Sequence, residues 1–131
     1  YREMPVNSVW EGSANVICLD VRRAMDKSQE AVDAFAAEID GAKGANPRLD
    51  RFVGTLRTEL GQARRTEEGL ARRLVGRMAV GLQAALLVRH APTAVSDAFC
   101  ASRLENEAGG TFGMLPPGVD GHAIVDRAAI A

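Results

Sequence analysis

Glu11 is the residue whose type and surroundings point most directly to chemistry. It follows Trp10, the single tryptophan, and precedes Gly12-Ser13, after which an apolar periodic run begins. Glycine lets the backbone turn and lets another group approach closely, and Ser13 suits a helix N-cap. Burial beside a large apolar side chain raises the pKa of a carboxylate, whereas a helix N-terminus lowers it. The segment therefore predicts a carboxylate that can act as a base; an ordinary first-turn acid is the alternative.

A second set of residues is rich in arginine. Eight arginines lie between residues 48 and 77, against four acidic residues. The densest part consists of Arg64, Arg65, Arg72, Arg73 and Arg77. Arginine binds phosphate through paired hydrogen bonds, so the set predicts salt-sensitive contacts with a nucleic-acid backbone and little sequence preference. The alternative is a solvated or ion-paired face in an arginine-rich protein, because only two of the 16 basic residues are lysines.

Composition limits the other functions. The formal net charge of −1 gives no global argument for a nucleic-acid or membrane partner. No apolar run reaches the roughly 18 residues of a membrane span, so we expect no membrane partner and a cytoplasmic location. Cys18 and Cys100 have no histidine or cysteine at ligand spacing, which predicts reduced core thiols and no metal site.

Helical periodicity and capping signals predict an all-α chain in which an antiparallel bundle of helices is joined by short loops. Strand signals are almost absent. The fourth helix restarts near residue 66, unless the third continues through with a kink. The predicted helices cover 14–26, 28–42, 46 to about 64, 66–90, 92–104 and 121–129, with Ser28, Asn46 and Asp120 as caps.

Two of these helices have informative apolar faces. In the first, Ile17, Val21 and Ala24 share one face, which Leu19 and Cys18 widen into an apolar arc so broad that part of it should remain bare. In the fourth, only Gln83 is polar between residues 78 and 88. We therefore expect the fourth helix to be the most buried.

Two separated blocks resemble the flavin-dependent acyl-CoA dehydrogenases, in particular their AidB-like branch. The first, Met4-Pro-Val-Asn-Ser-Val-Trp-Glu-Gly-Ser-Ala-Asn15, resembles the Glu-Gly-Thr/Ser segment of that family. The second is Ala91-Pro-Thr-Ala-Val-Ser-Asp-Ala-Phe-Cys-Ala-Ser-Arg-Leu104, followed by Thr111-Phe-Gly-Met-Leu-Pro-Pro-Gly118. The blocks have the family's order and span most of the chain. Residues 28–90 resemble the branch in helical character only.

The resemblance implies a flavin site. Glu11 would remove the proton α to an acyl-CoA thioester while hydride passes from the β-carbon to FAD. Ser13 and Asn15 would contact the cofactor, although many dehydrogenases have threonine and then glutamine or glutamate at these positions. Trp10 would form a wall of the pocket, with plain core packing as the alternative.

The resemblance also implies an organisation and further partners. Residues 1–27 would end the flavin-site helical domain, and residues 28–131 would form a helical appendage. Because the chain begins at Tyr1, it is expected to be a C-terminal segment that alone neither binds FAD tightly nor turns over. AidB-like proteins imply double-stranded DNA as a partner of this region and a homotetrameric parent. The alternative function is a non-catalytic module for DNA binding or oligomerisation.

Overall fold

The structure is a computed structural model that describes residue 6 and residues 14–62, 71–105 and 118–128. These ranges contain no strand, and the predicted all-α helical bundle is confirmed. The helices are α1 (Ala14–Lys27), α2 (Gln29–Asp40), α3 (Pro47–Gln62), α4 (Ala71–His90), α5 (Thr93–Arg103) and α6 (Gly121–Ala128). The predicted restart near residue 66 lies outside the described residues.

Three of the predicted caps, Ser28, Asn46 and Asp120, are confirmed. In each case a side-chain oxygen accepts a hydrogen bond from the backbone N–H three residues later, which satisfies a donor that the first helical turn leaves unpaired. The donor–acceptor distance is 3.2 Å for Ser28, 3.3 Å for Asn46 and 3.0 Å for Asp120. Local sequence therefore determines where α2, α3 and α6 begin.

Helix α4 lies at the centre of the bundle and packs against α1, α2, α3 and α5. Its inward side is mostly small: Gly81, Ala84 and Ala85 are buried. A Cβ at Gly81 would lie 3.2 Å from the ring of Phe52 on α3, so glycine allows the two helices to approach closely. The expectation that this helix is the most buried one agrees with its position in the described bundle.

The core is apolar and contains both thiols. Leu49, Leu56 and Cys100 are the largest side chains with essentially no exposure. Cys18 is also buried, and both cysteines are free, as predicted.

The predicted inward face of α1 is wrong for Ile17 and Ala24. Cys18 is buried and Val21 and Met25 pack on the core, whereas Ile17 is 46% exposed and Ala24 is exposed. The helix is rotated from the expected orientation because its apolar arc is too wide for periodicity to select one face. The expectation that part of this arc stays bare is confirmed by Val16, which is 52% exposed, and by Ile17.

Candidate functional site

The segment around Glu11 leads directly into α1. The helix begins at Ala14, immediately after Gly12-Ser13, so its free N–H groups and the positive end of its dipole adjoin this segment. Asn15 lies in the first turn of the helix, and Trp10, Glu11 and Ser13 lie outside the described residues. The catalytic and cofactor roles of these four residues stay predictions.

The arginine set is divided by the structure. Arg64 and Arg65 lie outside the described residues. Arg72 and Arg73 are exposed in the first turn of α4, and Arg72 takes part in an interaction of its own. Arg77, one turn further along, is only partly exposed.

Glu59 on α3 binds two of these arginines. Its Oε1 lies 3.1 Å from Nη2 of Arg73, and its Oε2 lies 2.8 Å from Nε of Arg77. The second contact is an ion pair in which the Nε–H is not directed at the oxygen, so the two atoms form no hydrogen bond. One carboxylate thus offsets charge on two arginines and ties α3 to α4.

Arg77 makes two more contacts with α3. Its Nη2 donates a hydrogen bond of 2.8 Å to the hydroxyl of Thr55, and its guanidinium lies 4.3 Å from the ring centre of Phe52. The side chain is 25% exposed, against 62% for Arg73. A cation held over an aromatic face, hydrogen-bonded to one side chain and ion-paired with another, stabilises the fold, so Arg77 is less accessible to phosphate than Arg73.

Other arginines of the described bundle are also ion-paired. Glu105 binds Arg48 at 3.0 Å and Arg51 at 3.3 Å, and the hydrogen bond from Arg48 holds the pKa of Glu105 below its ordinary value. Two further interhelical pairs join Arg57 to Asp40 and Arg89 to Glu38. The charge count between residues 48 and 77 could not identify these partners, because Glu38, Asp40 and Glu105 all lie outside that range.

The described surface has cavities between its helices. One, of about 280 Å³, is a half-open cleft bordered by α1, α2 and α3, and Arg22, Val32 and Leu60 line it. Another, of about 370 Å³, lies where α2 ends beside α3, with Leu49 in its wall and the Asp40–Arg57 ion pair at its edge. Within the ranges that the structure describes, no group of histidine, cysteine and acidic side chains could hold a metal ion.

Comparison with known proteins identifies the family. The chain is 34% identical over 109 residues to AidB of Escherichia coli (strain K12), which is named as an acyl-CoA dehydrogenase. The match covers 83% of this chain. The chain belongs to the AidB-like family. It spans 20% of the length of that relative, and the resemblance of the chain to AidB-like proteins is confirmed.

The other comparisons add no relative. No family model matches the chain, and no solved structure matches it. Among the helices that the structure describes, none is both long and apolar enough to cross a membrane.

Proposed function

We propose that this AidB-like chain forms one wall of the flavin and substrate site of an acyl-CoA dehydrogenase-like protein. The single observation that supports this most is the 34% identity to AidB over 83% of the chain. In the proposal Glu11 is the catalytic base, Ser13 and Asn15 contact FAD, and Trp10 borders the substrate. The parent is a homotetramer whose substrate is an acyl-CoA or related thioester.

The described part of α1 fits such a site in two respects. The helix starts at Ala14, directly after Glu11-Gly-Ser in the chain, so the positive end of its dipole adjoins the proposed cofactor contacts. Val16 and Ile17 expose apolar surface within the first turn or so, and such surface suits contact with an apolar neighbour better than with water.

Each residue of the segment has a separate task in the proposed reaction. FAD, when bound, supplies the acceptor for hydride from the substrate. The carboxylate of Glu11 takes the α-proton, which requires hydrogen-bond reach of that proton. Ser13 and Asn15 orient the cofactor by hydrogen bonding, and Trp10 excludes water from the reacting carbons.

Glu11→Gln in the flavin-containing parent protein tests this function. The variant keeps size and hydrogen bonding but removes the base, so acyl-CoA oxidation should fall by roughly 10² to 10⁴ while flavin absorbance is retained. Glu3→Gln in the same segment is the control and should oxidise substrate at the parent rate. Unchanged oxidation in Glu11→Gln would show that Glu11 is not the base.

We propose DNA binding as a second function, through Arg64, Arg65, Arg72 and Arg73. The observation in its favour is that Arg72 and Arg73 extend into solvent from the first turn of α4, directly after the segment that carries Arg64 and Arg65. Arg77, the fifth member of the predicted set, would hold α4 in place against α3, since it contacts Glu59 and Phe52 on that helix. The competing interpretation is an ion-paired face, which the Arg73–Glu59 contact favours.

A module that serves only oligomerisation is the remaining alternative. The apolar half of α4 supports it weakly, because Met78, Ala84 and Ala85 are already buried within the chain and only Leu86 among its large apolar residues is clearly exposed, at 39%. Light scattering over a concentration series distinguishes an interface between chains from a core within one chain. A mass that rises with concentration requires an interface on this chain.

A further inference from the structure

Glu59 on α3 divides its two carboxylate oxygens between two arginines of different character. Its Oε2 is shielded from solvent and lies 2.8 Å from Nε of Arg77. Its Oε1 lies 3.1 Å from Nη2 of Arg73, whose side chain is the most exposed of the three. One half of the carboxylate is therefore part of the contact between α3 and α4, and the other half binds an arginine at the surface.

Arg77 keeps the carboxylate of Glu59 in position. The guanidinium of Arg77 also donates a hydrogen bond of 2.8 Å to Thr55 and lies 4.3 Å from the ring centre of Phe52. None of these contacts involves Arg73. Because an exposed ion pair contributes little to stability, the side chain of Arg73 can leave Glu59 while Arg77 and Glu59 stay together.

A phosphate group and the carboxylate of Glu59 are alternative partners of Arg73. A guanidinium binds either anion through the same N–H groups, so the contact with Glu59 has to break before Arg73 can form paired hydrogen bonds with a phosphate. The carboxylate also has the same sign of charge as the DNA backbone and repels a phosphate that approaches Arg73. Glu59 is thus placed to oppose binding at the first turn of α4.

We infer that Glu59 competes with the DNA backbone for Arg73 and thereby limits the affinity of the surface that Arg64, Arg65, Arg72 and Arg73 form. The inference rests on the proposed DNA-binding function, which assigns the attractive residues of this surface but none that opposes them. The Arg73–Glu59 pair is the arrangement of the free chain. In the DNA-bound chain Arg73 contacts phosphate, and Arg77 remains on α3.

Fluorescence anisotropy of a labelled random DNA duplex with the full 131-residue chain and with its Glu59→Gln variant tests this. Glu59→Gln should bind about two- to fivefold more tightly, which corresponds to the release of one exposed ion pair. Glu38→Gln is the matched control, because it removes the same charge and also releases an arginine, Arg89. Arg89 lies about 24 Å along α4 from Arg73, at 1.5 Å per residue, well beyond the screening length of about 10 Å at 0.1 M salt. The control should therefore bind like the parent.

The same comparison in an Arg73→Gln background identifies the arginine through which Glu59 acts. There the gain from Glu59→Gln should disappear. Equal affinity of the parent and Glu59→Gln, an equal gain in Glu38→Gln, or a gain that persists without Arg73 would overturn the inference and leave the DNA-binding function standing. If neither the parent nor Glu59→Gln bound DNA at low salt, both would be wrong. Binding by Glu59→Gln alone would support both.

NMR of the unsubstituted chain keeps the test valid if circular dichroism shows that Glu59→Gln unfolds. On addition of the duplex, the signals of the Glu59 carboxyl carbon and of the Arg73 Nε–H group should shift, because this ion pair breaks. The Nε–H signal of Arg77 should change little. A DNA-bound chain in which the Glu59 carboxyl signal does not move would overturn the inference.

Discussion

The side-chain amide of Asn46 donates a hydrogen bond of 3.0 Å to the carboxylate of Asp97, and so joins the start of α3 to α5. The same side chain caps α3, because its Oδ1 accepts from the backbone N–H of Arg48 at 3.0 Å and of Leu49 at 3.3 Å. Asn46 is only 5% exposed. One buried side chain therefore serves both as a local cap and as a link between residues 51 positions apart.

Asn46→Ala should be more destabilising than the loss of an ordinary cap. We expect a decrease of about 2 to 3 kcal/mol in the free energy of unfolding, because the variant leaves buried backbone donors unpaired and removes the bond to Asp97. Ser28→Ala removes an exposed cap and should cost about 1 kcal/mol. Urea denaturation of both variants measures the difference, and equal losses would show that the Asp97 link contributes nothing.

Replacing glycine by alanine should have opposite effects on the stability of the fold at two positions of α4. A Cβ at Gly81 would meet Phe52 at 3.2 Å and Leu56 at 3.4 Å, whereas at Gly76 nothing lies within 4 Å. Gly76→Ala should raise stability by about 0.5 to 1 kcal/mol through helix propensity. Gly81→Ala should lower it by about 1 kcal/mol, because overpacking outweighs the same gain.

Phe52 is the reason that the clash at Gly81 is not easily relieved. Its ring is held beneath the guanidinium of Arg77, so it cannot move away without breaking that contact. Thermal unfolding of the two alanine variants gives the sign at each position. A stabilised Gly81→Ala protein would show that the α3–α4 contact is looser than the structure indicates.

Arg73 and Arg77 should differ in their effect on stability although both bind Glu59. Arg77→Gln removes the contacts with Glu59, Thr55 and Phe52 and should cost about 2 kcal/mol. Arg73→Gln removes one exposed ion pair and should cost less than about 0.5 kcal/mol. Denaturation of each variant measures this. If Arg73→Gln were the more damaging one, the assignment of Arg77 as the structural arginine would be wrong.

The thiol of Cys100 should make stability depend on alkaline pH. Burial raises its pKa to about 11, above the value near 9 of an exposed thiol. The unfolded chain therefore loses this proton first, so the stabilisation is complete below about pH 9 and declines as pH rises toward 11. The contribution is on the order of 2 kcal/mol. Unfolding at pH 8 and 10.5 should show a larger decline in the parent than in Cys100→Ala; identical declines would contradict the raised pKa.

Local signals predicted most of the fold. Ser28, Asn46-Pro47 and Asp120 mark helix starts through bonds made within the next three residues, and the structure contains each of them. The orientation of α1 could not be predicted, because apolar residues surround much of that helix and only its packing against α4 and α2 selects Cys18 over Ile17.

The candidate sites were less predictable than the helices. The sequence identified the arginine set as a cluster of charge, but Glu59 reaches Arg73 and Arg77 only after α3 and α4 pack side by side. Family likeness, rather than periodicity, singled out Glu11.

The DNA-binding surface can be tested most directly by fluorescence anisotropy of a labelled random duplex across a salt series. The parent chain should bind with an affinity that falls steeply as salt rises, and the combined variant Arg64→Glu/Arg72→Glu/Arg73→Glu should not bind. The control, Arg23→Glu/Lys27→Glu/Lys43→Glu, makes the same change in net charge on other helices and loops and should bind nearly as well as the parent. No binding at low salt, or equal loss in both variants, would contradict a DNA site at the start of α4 and leave an ion-paired surface.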